Sequence, residues 1–464
     1  MSAAEAYLAA LGGRTSEFRI DALDRIGVPV CATLVYDACG RQVSNGTGYG
    51  ATAEEARISA LGEALEGYGC RLAIEHLPSV QGSYEDLGGD AALDPVALIP
   101  DAGTIDARRR RLAWTPARRL RDGAERLVPL EWVAQEPAEL PSGYRPLITP
   151  ITNGLGAGDT RERALLHALL ELLQRDGNSV AHRAMDRGVA VDDRGAADWL
   201  RARGIEVVVK AAECDRGIAV VHAVGCEPDG GAPEPLGVTA CGEACDPDPE
   251  RAIRKAVLEF CSSRVRKPFS HAPLEALDGV VPESYLSQVR TWAPPREEER
   301  ALQATLDWLA LSEAELRELI ADPVLAVRTR IGFDELPVLE SSGDVAERLR
   351  AVVHLLSAQD LDAFWIDLSP PGADAYVARV IVPGLEVETM SYRRIGRRNL
   401  ERLQRRGVEW VGFGDAPRGA LAVPLPDEQS AWLDPDGLDD ALSGLYALYR
   451  EPARHAVALL GTPA

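Results

Sequence analysis

The sequence predicts an α/β protein assembled from quasi-repeated strand–glycine turn–helix units around a central cleft, and three observations predict it. First, residues 45–66 and 153–174 align without a gap. Asn45 meets Asn153; Gly46, Gly48 and Gly50 meet Gly154, Gly156 and Gly158; Thr52, Glu54, Ala56 and Glu63 meet Thr160, Glu162, Ala164 and Glu171. Second, a fainter third copy ends at Glu259, where Glu250, Ala252, Ala256 and Glu259 match Glu162, Ala164, Ala168 and Glu171. Third, strand-like apolar runs precede the first and third copies, at 28–35 and at 206–209 and 218–224. Strand, glycine turn and helix recurring in this order imply layered α/β architecture.

Along the chain, 1–19 forms an N-terminal segment ahead of the 28–35 strand. In the first copy the N-G-x-G-x-G stretch reads as a turn and Thr52 as a helix cap. Glu54, two residues on, makes only a partial capping box, but an acidic first turn suits the helix dipole. Ile58, Leu61 and Leu65 share the apolar face of the helix that follows. The arginine-rich stretch 105–134 around Trp114 reads as a solvated hairpin in preference to a peptide-binding patch. Residues 296–320 alternate acidic with Leu and Ala positions at helical period, as an insertion or lid helix. Residues 344–357 form an amphipathic helix leading into a strand at 364–366, and the basic helix at 393–406 is expected on the surface. These elements divide the chain into a core over 20–390, with the helical insertion near 296–320, and a C-terminal helical extension over 391–464.

A length of 464 residues is enough for several packed layers. The net charge of −22 excludes a phosphate-backbone binder, whose affinity comes from Lys and Arg, and no nucleic-acid partner is expected. The N-terminus has neither a basic nor an apolar signal region, and no apolar run reaches the roughly 18 residues that span a bilayer. A cytoplasmic protein with no membrane partner is expected. The 8 cysteines lack scaffold spacing and read as reduced thiols. Cys241 and Cys245 have no second Cys/His pair at zinc spacing and read as small packing residues.

The helix faces carry the chemistry. Ser59, Glu63 and Glu66 lie at i, i+4 and i+7 on one face of the first helix, flanked by Ala56 and Ala60, which let a ligand approach. The equivalent face of the second helix carries His167, Glu171 and Gln174, followed by Arg175 and Asp176. That of the third carries Lys255, Glu259 and Ser262, followed by Arg264 and Arg266. On one helix alone such carboxylates would read as a solvated face. A carboxylate at one matched position on several otherwise apolar helices instead predicts convergence, and converging buried carboxylates need cations between them. Hard oxygen ligands suit Mg²⁺, which bridges carboxylates to nucleotide phosphates, and arginines supply forked donors to phosphate oxygens. The glycine turns look like phosphate loops, but the chain has no G-x-x-x-x-G-K-[ST] P-loop, and a Rossmann reading leaves the carboxylates unexplained. His167, on the cleft face, is placed for proton transfer but is expected to pack in preference to that role.

With these residues in place the chain resembles the YcaO family. The resemblance rests on Leu23-Asp24-Arg25-Ile26-Gly27-Val28-Pro29-Val30, Ser59-x-x-x-Glu63-x-x-Glu66, and Asn153-Gly154-Leu155 through Glu171-x-x-x-Arg175-Asp176. It extends through Pro249-Glu250 to Glu259 and Arg264, and to Trp365-Ile366-Asp367-Leu368 and Val380 to Glu386. It implies a YcaO-like fold around an ATP cleft, with ATP and Mg²⁺ as cofactors. By resemblance Glu63, Glu66, Glu171 and Gln174 are the metal ligands, and Ser59, Asn153, Arg175, Glu259 and Arg264 contact the nucleotide. The family usually has Glu where this chain has Gln174.

The resemblance also implies activity on a peptide or protein substrate, yielding a thioamide, azoline or amidine. A nucleophile adds to a backbone carbonyl, the oxyanion attacks the ATP γ-phosphate, and phosphate then leaves; no protein nucleophile is assigned. The chain end carries Pro463 alone where azoline-forming members have a proline-rich tail, and the entry motif resembles stand-alone members that work with a TfuA-type partner. Thioamide formation is the preferred expectation, with a TfuA-like or leader-recognition protein as partner and homodimerisation left open. The alternative is a nucleotide-binding accessory protein to a sulfur-transfer partner, weakened in catalysis by Gln174.

Overall fold

A computed structural model of the chain describes residues 2–12, 14–180, 186–228, 237–293, 299–341, 343–387 and 392–460. The chain runs through α1 (Ala3–Leu11), β1 (Arg14–Arg19), β2 (Val30–Tyr36) and β3 (Gln42–Tyr49) into the long α2 (Ala53–Ile74). β4 (Val80–Gly82), α3 (Tyr84–Leu87), β5 (Leu112–Arg119), β6 (Glu125–Pro129) and β7 (Leu155–Gly158) lead to α4 (Arg161–Asn178). β8 (Val189–Val191), α5 (Asp198–Arg201), β9 (Glu206–Ala211), β10 (Ala219–Cys226) and β11 (Thr239–Asp246) precede α6 (Pro249–His271). α7 (Glu283–Val289), α8 (Glu299–Ala310), α9 (Glu313–Ile320), β12 (Thr329–Ile331) and α10 (Val345–Ser357) follow. Then come β13 (Phe364–Asp367), β14 (Tyr376–Ile381) and α11 (Arg397–Arg405), before a small sheet of β15 (Val411–Phe413), β16 (Leu421–Ala422) and β17 (Ala431–Leu433).

Three larger sheets each end on a strand that packs against one long helix. The orders are β1-β2-β3, β4-β5-β13-β14-β7 with β6 on β5, and β11-β10-β9-β8-β12. The end strands β3, β7 and β11 lie against α2, α4 and α6, whose apolar faces fill three of the cores. The glycine segments expected as turns are therefore edge strands, and sterics explain why. A Cβ at Gly48 would stand 2.0 Å from Ala60 N and 2.5 Å from Ala56 O, and one at Gly156 would stand 2.2 Å from Ala164 O and 2.9 Å from Ala168 N. The matched glycines thus meet matched helix atoms, and Gly242 does the same against Ala256 O at 2.3 Å and Phe260 N at 2.1 Å. These glycines bring strand and helix backbones together; they are not phosphate loops. Gly48→Ala is expected to cost up to about 3 kcal/mol by overpacking, read as a fall in the denaturant midpoint.

The helix starts are locally encoded. Thr52 accepts from Glu55 N–H and Glu55 reaches back to the cap, so the full capping box uses Glu55 and not Glu54. Thr160 accepts from Arg163 N–H, and Asp248 caps a helix that opens with Pro249.

The hairpin expected within 105–134 is β5–β6, with Arg118 facing Glu125, but Trp114 is buried and its indole donates to Gly82 O at 2.9 Å. The helical pattern expected over 296–320 is α8 and α9, the first residues of that range falling outside the described ones. The basic helix is a surface element on one face only, with Glu401, Gln404 and Arg405 exposed. In α11, Leu400 and Leu403 are buried, Arg398 pairs with the buried Asp176, and Arg402 pairs with Asp215. The chain end returns to the centre, where His455 N–H donates to Ser270 O at 2.7 Å and Arg454 donates to Asn45 Oδ1 at 2.8 Å. Pro463 lies outside the described residues. Among the described residues all 8 cysteines are free and no helix is long and apolar enough to cross a membrane.

Candidate functional site

Each central helix presents its matched carboxylate to a backbone amide in its own edge strand or, for Glu171, just before it. Thr47 N–H donates to Glu63 at 2.5 Å, Gly154 N–H to Glu171 at 3.2 Å, and Glu243 N–H to Glu259 at 3.3 Å. Each unit also reaches the next. Glu66 on α2 accepts from Ala157 N–H on β7 at 2.9 Å. From α4, Gln174 Nε2 and Arg175 Nη1 donate to Glu243 on β11 at 3.3 and 3.0 Å. Tyr49 on β3 donates its hydroxyl to Glu259 on α6 at 3.2 Å, which closes the ring. The three units surround one cleft.

Burial and like charge dominate the electrostatics. Desolvation, then the carboxylates of Glu171 and Glu63, push Glu66 up to about 8, against the Ala157 amide and the Lys255 ammonium. Burial also raises Glu171, opposed by Arg175, and Glu259, opposed by Lys255. Tyr49 is raised well above its usual value by burial and then by Glu259. Burial would lower Arg175 and Arg266, but facing carboxylates hold both above the usual range: Glu243, Glu171 and Glu259 for Arg175, and Glu451, Glu63 and Glu259 for Arg266. Carboxylates raised towards protonation by burial, and in Glu66 by like charge as well, fit a cation beside them. Nε of Arg175, buried with no protein partner, fits a phosphate oxygen. Among the described residues, no three carboxylate, His or Cys side chains stand close enough to hold a metal ion by themselves. That donor set suits Mg²⁺, which completes its shell with water and phosphate oxygens.

This arrangement predicts a proton-linked metal affinity. At pH 7 the metal-free protein holds a proton on Glu66, so binding Mg²⁺ with nucleotide is expected to release about one proton. Affinity should rise with pH and level off above about 8, and Glu66→Gln should flatten the profile. The stability of the metal-free protein has the opposite slope. The unfolded carboxyl titrates near about 4.3 and the folded one higher, so the native state binds more protons and stability falls as pH rises between these values. Calorimetry in buffers of different ionisation enthalpy measures the proton release.

The structure brings most of the expected residues to the cleft and relocates others. Glu63 is exposed, Ser59 is half-buried one turn before it, and Asn153 precedes the amide that holds Glu171. Gln174 is buried on Glu243. Arg264 does not face the cleft. Its guanidinium is buried against Asp24, at 2.7 and 3.1 Å, and against Glu227, which also takes Arg25. His167 is no packing residue: its side chain is 48% exposed, 3.7 Å from Glu66. Desolvation and then Lys255 lower it to about 4, so the ring is neutral at pH 7.

The sequence reading missed Glu243 and Tyr49 and named Lys255 only as a helix position, whereas Arg266 was counted among the arginines that supply forked donors to phosphate. Extending the third copy back through its strand would have found Glu243, since Gly242 matches Gly46 and Glu243 matches Thr47. Arg379 had no sequence signal. It is buried, donates to Trp132 O and Ile151 O at 2.7 and 2.6 Å, leaves Nη1 without a protein partner, and lies within electrostatic reach of Glu171.

Comparison with known proteins bears on this cleft. Residues 47–386 match a family model described as YcaO cyclodehydratase, ATP- and Mg²⁺-binding. The chain is 30% identical over 394 residues to an uncharacterized protein of Methanothermobacter thermautotrophicus, covering 83% of this chain and 93% of that protein. Its fold is similar to that of YcaO from Methanopyrus kandleri bound with AMPPCP and Mg²⁺, with TM-score 0.59, 20% identity and coverage of 85% of this chain and 91% of that one. A heterocyclase in complex with substrate and cofactor gives TM-score 0.59 and 20% identity, covering 83% of this chain and 52% of the other.

Proposed function

The chain belongs to the YcaO family of ATP- and Mg²⁺-binding proteins, and from that membership we propose that it activates a peptide backbone amide by phosphorylating its oxygen, with thioamide formation as the outcome. The observation that carries the reading is the ring of carboxylates, each clamped by a strand amide and linked to the next unit. Glu63, Glu66 and Glu171 would hold Mg²⁺, with Gln174 beside them; Asn153, Arg175, Lys255 and Arg266 would receive the phosphates, Glu259 would contact the nucleotide while balancing the charge of Lys255 and Arg175, and Ser59 would stand at the rim. When bound, Mg²⁺ and ATP supply the phosphoryl group that turns a poor amide-oxygen leaving group into phosphate.

The chain's own residues position and neutralise. Arg175, half-buried, and Arg266, exposed, offer forked donors whose fixed positive charge favours a transition state that spreads charge over phosphate oxygens. The strand amides keep the carboxylates from following the substrate's charge as it moves. The exposed His167 imidazole, 3.7 Å from Glu66, is placed to receive the incoming nucleophile's proton only once anionic phosphate beside it raises its basicity. The substrate would be a peptide or protein presented with a TfuA-like or leader-recognition partner; that Methanopyrus kandleri YcaO was captured with AMPPCP and Mg²⁺, and a heterocyclase with substrate and cofactor, supports the nucleotide and substrate parts of this reading.

The test is mass spectrometry of candidate peptides incubated with protein, partner, ATP, Mg²⁺ and sulfide. Exchange of oxygen for sulfur is expected; loss of water would mark an azoline instead, and no change with any peptide and partner would end the enzymatic reading. An accessory role, favoured by the amide at Gln174, predicts nucleotide binding without peptide-stimulated phosphate release.

A further inference from the structure

The three units differ at one chemically important position. Where the first unit carries Glu66, the second carries Gln174 and the third Ser262. The amide of Gln174 is not left alone in the second unit. Its Nε2 donates to Glu243 Oε2 at 3.3 Å, and Arg175 Nη1 donates to the same oxygen at 3.0 Å. Glu243 is 9% exposed and leaves β11 beside the third unit's carboxylate, because its own N–H donates to Glu259. A carboxylate thus stands in contact with the position where the second unit has none.

Polar groups around this point lack protein partners. They are Arg175 Nε and the Asn178 amide, one turn beyond Gln174 on the same helix. Asn178 is 1% exposed. Buried polar groups are satisfied in native proteins, by ligand or ordered water where not by protein. A hydrated cation bridged to phosphate oxygens offers both the donors and the acceptors that these groups need.

We propose that Glu243 supplies to the Mg²⁺–nucleotide site the carboxylate that the second unit lacks at position 174, so that the metal facing the end of α4 is bound through β11. The inference rests on the ATP-site reading above and adds one ligand to it. Gln174 is then a positioning residue, holding the carboxylate by its amide, and Arg175 links that ligand to the phosphates.

The test is Mn²⁺ binding followed by electron paramagnetic resonance in the presence of a non-hydrolysable ATP analogue. Glu243→Gln is expected to weaken Mn²⁺ by about 10–100-fold. The double variant Gln174→Glu with Glu243→Gln, which moves the carboxylate to the place Glu66 holds in the first unit, should recover most of that loss. Unchanged Mn²⁺ affinity in Glu243→Gln, or a double variant as weak as the single, would overturn the assignment. Glu66→Gln measured alongside separates two failures. If it weakens Mn²⁺ while Glu243→Gln does not, only Glu243 is removed from the site. If the wild-type protein binds no Mn²⁺ with the analogue, the site reading falls as well. Should Glu243→Gln fail to fold, the double variant against wild type decides, since it keeps one carboxylate and one amide at this contact.

Discussion

Glu171→Gln is expected to lower ATP turnover by roughly 10²–10³-fold while leaving the thermal midpoint nearly unchanged. Glu171 is the second unit's carboxylate in the ring, on the helix position matched by Glu63 and Glu259. Gly154 N–H holds it at 3.2 Å, and a Gln oxygen can accept that bond, so the fold should survive. What the substitution removes is negative charge facing the cleft. In the metal-free protein this loss is favourable, because the Glu171 carboxylate is one of the two that push Glu66 up. With the cation bound the same charge becomes attractive and its removal costly. The variant should therefore bind Mg²⁺ and nucleotide more weakly, and it should also bring Glu66 down towards its ordinary range. Phosphate release and the pH profile of metal affinity, measured together, test both effects. Turnover within about 3-fold of wild type would remove Glu171 from the phosphoryl-transfer site.

The carboxylate faces were legible in the sequence because helical period and gapless repeat fix one another. Once Glu63 and Glu171 share a matched position, their common destination follows without knowledge of the fold. The strand half of each unit was less legible. N-G-x-G-x-G has the composition of a turn, and its use as an edge strand is decided by backbone contacts with Ala56, Ala60, Ala164 and Ala168 that no local pattern shows. Glu243 was missed for a related reason, since the third copy was matched only along its helix. The charged helix at 397–405 reads as solvated because Arg398 and Arg402 find their carboxylates far away in sequence, at Asp176 and Asp215. Long-range ion pairing is what single-sequence reasoning sees least. It also explains Arg264.

Arg264→Ala is expected to destabilise the fold by about 3–5 kcal/mol, read as a lowered denaturant midpoint, without a specific loss of nucleotide affinity in the molecules that remain folded. By resemblance Arg264 contacts the nucleotide, but its guanidinium is spent on Asp24 and Glu227, whose side chains are 8% and 3% exposed. Removing the arginine leaves Asp24 with its main countercharge gone and Glu227 dependent on Arg25, which is itself 42% exposed at the side chain and better screened by water. Two buried carboxylates deprived of a shared cation must take up protons or admit water, and either response loosens the join between the 21–28 segment and α6. Glu227 is held below its ordinary range, burial being outweighed by Arg25 and Arg264. In the variant its pKa should rise, so the stability deficit should shrink as pH falls towards the carboxylate range. Adding Asp24→Asn and Glu227→Gln should recover much of the midpoint by removing the stranded charges. The opposite pattern, with stability intact and nucleotide affinity lowered tenfold or more, would return Arg264 to the cleft.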